Sequence, residues 1–203
     1  MVTMTDGTGQ SEALTSAMRS LEAAFLIGIP GTTEVWLIRH ADCYEAMTSH
    51  EDPPLSETGR DQARRLGERL NRAGYDAVYT SPLRRAQETA AAITDGLTID
   101  ERLVEVTTEL ANGHIEFTEP PDRVVERMRA SVDDAVARHP GNRVIMVGHG
   151  VAIFQYLCHL LGVQFGNLRI FPYYTCVNVV RALGERRMVG SLADVAHLEA
   201  RGG

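Results

Sequence analysis

Two short apolar runs, each ending in a histidine, limit what this chain can fold into. Val35, Trp36, Leu37 and Ile38 lead straight into Arg39 and His40, and Val144, Ile145, Met146 and Val147 lead into Gly148 and His149. Each run is too short for a helix and has the continuous apolar texture of a strand covered on both faces. A helical pattern follows each, which is the order of a parallel β–loop–helix unit. Ligands of open α/β sheets bind in the crevice outside the carboxyl ends of the strands. If the two runs are neighbours, His40 and His149 face each other there. A third strand end, within YTSPLRRAQ, delivers Arg84 and Arg85 to the same edge.

The rest of the chain alternates short apolar runs with amphipathic segments, which predicts a three-layer α/β/α sandwich with a mostly parallel central sheet. Ser56 is placed to cap a helix with Glu57 in its first turn, with Ala63, Leu66 and Leu70 facing the core and Asn71 and Gly74 near its stop. DAVYTS reads as a strand, and Pro82 is expected to open the next helix. A further helix is predicted over Asp122 to Arg138, with Val125, Met128, Val132 and Ala135 on its buried face, and VAIFQYLCHLL as another, closed by glycine. CVNVVRAL and the stretch around RRMVGSL read as strands paired near a sheet edge.

Residues 1–33 read as an extension, and 34–203 as the main domain. MVTMTDGTGQ is polar and expected to be unstructured, after which Ser11 caps a helix whose stripe is Leu14, Met18, Leu21 and Phe25, ended by Gly28, Pro30 and Gly31. These four side chains need a cover, either the chain's own domain or the same helix of a second subunit, giving a homodimer.

Twenty Lys and Arg against 27 Asp and Glu give a formal net charge of −7, so there is no broad basic field for nucleic acid. The longest apolar stretch, Ala23 to Ile29, is well short of a membrane span, and a cytoplasmic location is expected. Cys43, Cys158 and Cys176 are odd in number and lack CxxC spacing, which argues against a disulfide framework and a zinc site. Arg39, at least one of Arg84 and Arg85, and two imidazoles at one sheet edge make a phosphate site. Guanidinium forks match phosphoryl oxygens, and neutral imidazole is a nucleophile at physiological pH.

With RHA from Arg39, VGHG from Val147, and PLSETGRDQA and TSPLRRAQETA between them, the chain resembles the histidine phosphatase superfamily, phosphoglycerate mutase-like branch. GSLADVAHL resembles the usual tail, and the match runs from about Glu34 to Leu198. The resemblance implies that His40 attacks phosphorus while a backbone carbonyl fixes its tautomer, and that Arg39, Arg85 and His149 hold the phosphoryl oxygens. Arg85 is chosen over Arg84 because the family's pocket arginine is the second residue after SPL. The family's proton donor lies in an LxE segment, which is matched by Leu103, Val104 and Glu105, with Glu109 as the rival should the register shift. No metal and no cofactor is implied.

The chain departs from the family's RHGExxxN at Ala41, Asp42 and Ala46, and from WEG at Ile115 to Phe117. Loss of a phosphate ligand at Ala46 would lower the rate. A small phosphorylated substrate hydrolysed through phosphohistidine is the expected reaction. A mutase usually carries a long insertion after the acid, and only about a dozen residues separate Glu105 from Pro120. Mutase-type transfer, and a weakly active or inactive phosphate-ligand binding protein, stand as the alternatives.

Overall fold

The structure, a computed structural model, describes residues 7–43, 52–111, 114–170 and 172–199. In chain order its elements are α1 (Gly7–Ala24), β1 (Thr33–Arg39), α2 (Glu57–Ala73), β2 (Ala77–Thr80), α3 (Arg84–Ala91), β3 (Leu97–Ile99), β4 (Thr108–Ala111), β5 (His114–Phe117), α4 (Pro121–Arg138), β6 (Arg143–Gly148), α5 (Gly150–Leu161), β7 (Val177–Leu183) and β8 (Arg186–Asp194).

The two apolar runs are β1 and β6, and they pair in parallel with Arg39 opposite Gly148. The sheet order is β3-β2-β6-β1-β7-β8. β3, β2, β6 and β1 are mutually parallel; β7 is antiparallel to β1, and β8 to β7, so β7 alone opposes the common direction. Strand alternation divides the core into two layers. Val35, Leu37, Val144 and Met146 pack with α4 and α5, whereas Ile38, Val78, Ile145 and Val147 pack with α2 and α3. The central strands are thus covered on both faces, which is why their sequence shows runs rather than alternation. β7 and β8 form the expected pair at a sheet edge, and they run antiparallel.

Several expectations shift by a residue or two. α3 begins at Arg84, so Pro82 precedes the helix rather than opening it. Val124, not Val125, is buried on α4 beside Met128, Val132 and Ala135. β3 and the β4–β5 hairpin carry no clear pattern in the sequence: β3 is three residues long and largely exposed. α1 starts at Gly7, so Ser11 lies inside it and the expectation of an unstructured start fails over residues 7–10; residues 1–6 lie outside the described residues.

Leu14, Met18, Leu21 and Phe25 are each 48% to 66% exposed in the single chain. The extension is fastened instead by Leu26, buried with a positive φ of 57°, and by Arg186, which donates to the Ala24 carbonyl at 2.6 Å. Among the described residues no helix is long and apolar enough to cross a membrane.

α2 props up the loop that follows β1. The Ser56 hydroxyl accepts from Gly59 N at 2.9 Å and donates to the Asp42 carboxylate at 2.6 Å. Gly59 lies so close that an added Cβ would stand 2.0 Å from the Asp42 carbonyl oxygen, a backbone atom that cannot swing away. Gly59→Ala is therefore expected to destabilise the protein by about 1–3 kcal/mol, as overpacking does. Gly96→Ala, where the nearest atom is a Thr94 hydroxyl at 3.8 Å, is the control. Thermal melts of both variants check this, and equal melting points would contradict it.

Candidate active site

The parallel pairing of β1 and β6 brings the two histidines together at the strand ends. The His40 amide donates to the Gly148 carbonyl at 2.9 Å, and the two imidazole centroids are 5.1 Å apart. His40 Nδ1 lies 2.7 Å from the Ala41 carbonyl. A carbonyl only accepts, so Nδ1 carries the proton and Nε2 keeps its lone pair. His149 Nε2 lies 2.8 Å from the hydroxyl of Ser81, the first residue after β2 and the start of the SPL segment.

Arg39 and Arg85 flank this pair. The Arg39 guanidinium carbon stands 4.1 Å above the Tyr174 ring, a cation–π contact, and its Nη1 donates to the Pro172 carbonyl at 2.5 Å. Arg85, with its side chain 16% exposed, pairs with Asp52 at 2.9 Å. Arg84 is 60% exposed and turns to Glu88 at 2.7 Å. Both Arg39 and Arg85 bear electrostatically on both imidazoles. Among the described residues, Arg39 Nε and His149 Nδ1 are buried polar atoms without a hydrogen-bond partner.

Burial lowers the His40 pKa to about 3; the bond to Ala41 raises it, and the charges of Arg85 and Arg39 lower it further. His149 is likewise held well below its ordinary value, first by burial and then by His40 and the surrounding arginines. Both rings are neutral at physiological pH.

The two candidate acids differ in setting. Glu105 sits against the start of α5: its Oε1 accepts from Val106 N at 2.9 Å and Ala152 N at 3.0 Å, and its Oε2 from Val151 N at 3.3 Å. It is thereby fixed two and three residues from His149 along the backbone it binds. Glu109 is exposed on β4, opposite Glu116 of β5. Ala46 lies outside the described residues. At the IEF departure, Phe117 meets Phe165 edge to face at 6.3 Å. Among the described residues no cluster of three or more His, Cys, Asp or Glu is set to hold a metal ion.

Several contributors had no sequence signal of their own. Thr89 receives the Ala41 amide at 2.9 Å and donates to the Arg85 carbonyl at 2.7 Å, joining the histidine loop to α3. Thr175 takes a φ of 55°, strained for a β-branched residue, and its amide approaches the His40 carbonyl at 3.4 Å. Its hydroxyl donates to the Tyr174 carbonyl at 2.7 Å and meets His197 Nε2 at 2.8 Å, while Arg69 meets His197 Nδ1 at 3.3 Å. Arginine only donates, so His197 Nδ1 accepts and Nε2–H donates to Thr175.

The family model described as the histidine phosphatase superfamily (branch 1) matches residues 35–118 and 107–195. Phosphoserine phosphatase 1 of Hydrogenobacter thermophilus is 26% identical over 188 residues, covering 75% of this chain and 88% of that one. A probable phosphoglycerate mutase of Cronobacter sakazakii is 26% identical over 206 residues, covering 82% and 95%. The solved structure of Bacillus stearothermophilus YhfR superposes with a TM-score of 0.68 at 27% identity, covering 82% of this chain and all 100% of that one.

The neutral imidazoles have a thermodynamic signature. His40 has a folded pKa near 3 against 6.5 for the free side chain. Between those values the unfolded chain binds a proton that the folded chain refuses, so stability is full above about 6.5 and falls as pH drops through the window. His149 acts in the same direction. Denaturant midpoints measured from pH 7 to pH 4 are expected to fall, and His40→Gln and His149→Gln should each flatten the decline. Unchanged slopes in both variants would contradict the assignment.

Proposed function

The chain belongs to the histidine phosphatase superfamily, and we propose from that premise that it hydrolyses small phosphomonoesters through a phosphohistidine on His40. The observation that carries this reading is the orientation of the His40 ring: Nδ1–H is spent on the Ala41 carbonyl, which leaves the Nε2 lone pair as the nucleophile. Arg39 Nε and His149 Nδ1, buried and unpartnered among the described residues, supply the polar atoms that a phosphoryl group would satisfy. Ser81 Oγ accepts from Leu83 N, so its own proton is available to His149 Nε2, leaving Nδ1–H as a donor. Arg85 completes the set by exchanging Asp52 for phosphoryl oxygen.

In the first half-reaction His40 Nε2 bonds to phosphorus as the ester P–O bond breaks, and Glu105 gives a proton to the leaving alkoxide. In the second, Glu105 takes a proton from water, whose oxygen attacks phosphorus and breaks the P–N bond. Phosphate leaves and neutral His40 returns. The arginines and His149 stabilise the charge of both in-line transfers.

Hydrolysis is favoured over mutase transfer by the excursion between Glu105 and α4. Residues 107–120 contain no Lys or Arg to hold a second phosphate, and Glu109 and Glu116 stand opposite each other on its hairpin. Phosphoserine is the first substrate to try, because a relative of similar length is named for it. The catalytic domain in this reading is residues 34–203, acting in the cytoplasm, and the exposed α1 stripe is covered by α1 of a second copy.

His40→Ala is expected to abolish hydrolysis of p-nitrophenyl phosphate, and the wild-type enzyme, quenched in alkali during turnover, to carry acid-labile phosphate on His40. Retention of most turnover without His40 overturns the mechanism. A chain beginning at Gly31 is expected to be a monomer by light scattering with catalysis intact, whereas an unchanged mass means that α1 is not the dimer contact.

A further inference from the structure

Between Leu103 and α4 the chain leaves the body for the excursion that carries Glu105 and the β4–β5 hairpin, and one side chain of α4 grips both of its ends. Arg127 Nη1 donates to the Arg102 and Val104 carbonyls, each at 2.7 Å. Val104 contributes the peptide group directly before Glu105. On the other side of the same guanidinium, Nε and Nη2 reach the two oxygens of Glu119 at 2.7 and 2.9 Å. Arg127 is 17% exposed and Glu119 20%, so the fork is partly withdrawn from water. The closure is reinforced by Thr118 N donating to the Thr107 carbonyl at 2.9 Å, with the two threonine hydroxyls 2.8 Å apart.

We propose that Arg127 is the positioning residue for the proton donor: it fixes the backbone on which Glu105 stands and closes the substrate-facing excursion at both ends. The inference rests on the reading of Glu105 as the acid. Four of the five guanidinium N–H groups are engaged in a fixed fork, a pattern that a lysine with one ammonium cannot reproduce. Glu105 is held at its other end by the Val151 and Ala152 amides of α5. The acid therefore has two supports: its carboxylate rests on α5, which starts beside His149, and its main chain hangs from α4. Removing the second support leaves a carboxylate that can still bind α5 but whose backbone is free to move, and proton transfer needs hydrogen-bond reach to the leaving oxygen. The phosphate pocket of Arg39, His40, Arg85 and His149 receives no hydrogen bond from Arg127 and is expected to keep its geometry.

This division gives a readout that a general structural role does not. A poor leaving group needs protonation and p-nitrophenolate hardly does, so kcat/KM across a series of aryl and alkyl phosphates reports the acid specifically. Arg127→Lys is expected to lower kcat/KM about threefold or less for p-nitrophenyl phosphate and about thirtyfold or more for an alkyl phosphate. Inhibition by inorganic phosphate should stay within about twofold. Glu105→Gln should show the same leaving-group dependence, and the double variant should be no steeper than Glu105→Gln alone. Equal loss on all substrates in Arg127→Lys, or a double variant whose losses multiply, overturns the proposal. A dependence that appears in Glu109→Gln and not in Glu105→Gln overturns the reading of the acid instead. Should Arg127→Lys fail to fold, Glu119→Gln, which loosens the fork but leaves the two carbonyl bonds, carries the test: a milder steepening supports the proposal and a uniform loss overturns it.

Discussion

The parallel pairing of β1 with β6 is the interaction on which the site depends. It sets Arg39 opposite Gly148 and continues one residue further as the bond from the His40 amide to the Gly148 carbonyl. A register slip by one residue would turn every side chain of β1 to the other layer and carry Ile38 away from α2 and α3. Register is held because both faces are buried: Val35 and Leu37 belong to one core, Ile38 to the other, and all three are fully covered. The position of the two imidazoles is in this sense an outcome of hydrophobic packing, achieved before any polar contact at the site is considered.

Around that pairing, the polar contacts act mainly on loops. α2 closes on the segment after β1 through Ser56 and Gly59, α3 through Thr89, and the chain before β7 through Thr175 and Tyr174. The strain of Thr175, on the order of 1–3 kcal/mol, is offset by the side-chain chain that runs from Arg69 through His197. The tail motif around Asp194 and His197 thus contributes through a β7-side residue, and never touches the imidazoles itself: Asp194 holds Arg69 at 2.5 Å, Arg69 faces His197, and His197 faces Thr175.

What could be read from the sequence follows from the range of the interaction involved. The strand ends, the Ser56 cap and the glycine at the end of α5 are local patterns, and each stands where the sequence puts it. Placing the two histidines side by side needed one further assumption, that the runs are neighbours, and the sheet order bears it out. Arg127 is on a helix whose periodicity marks it only as polar, and its partners are 8, 23 and 25 residues away along a chain with no regular pattern between them. Asp52 is equally silent, because its meaning lies in a pairing with Arg85 across 33 positions. α1 began earlier than expected for a different reason: a helix in a polar, glycine-containing start has no apolar period to announce it.

β1 is the first strand among the described residues and yet lies in the middle of the sheet, between β6 and β7. Its contacts with β6 span 109 positions, as between Glu34 and Arg143, and those with β7 include one across 141, between Leu37 and Asn178. During synthesis one edge of β1 is therefore unpaired until β6, ending at Gly148, has emerged, and the other until β7, ending at Leu183, follows. The half-made polypeptide carries His40 and Arg85 but has no surface on which to seat them, and exposes two strand edges open to association with other chains. Loop closure over such separations comes late and slowly. The first residues of the site to be translated are among the last to find their places.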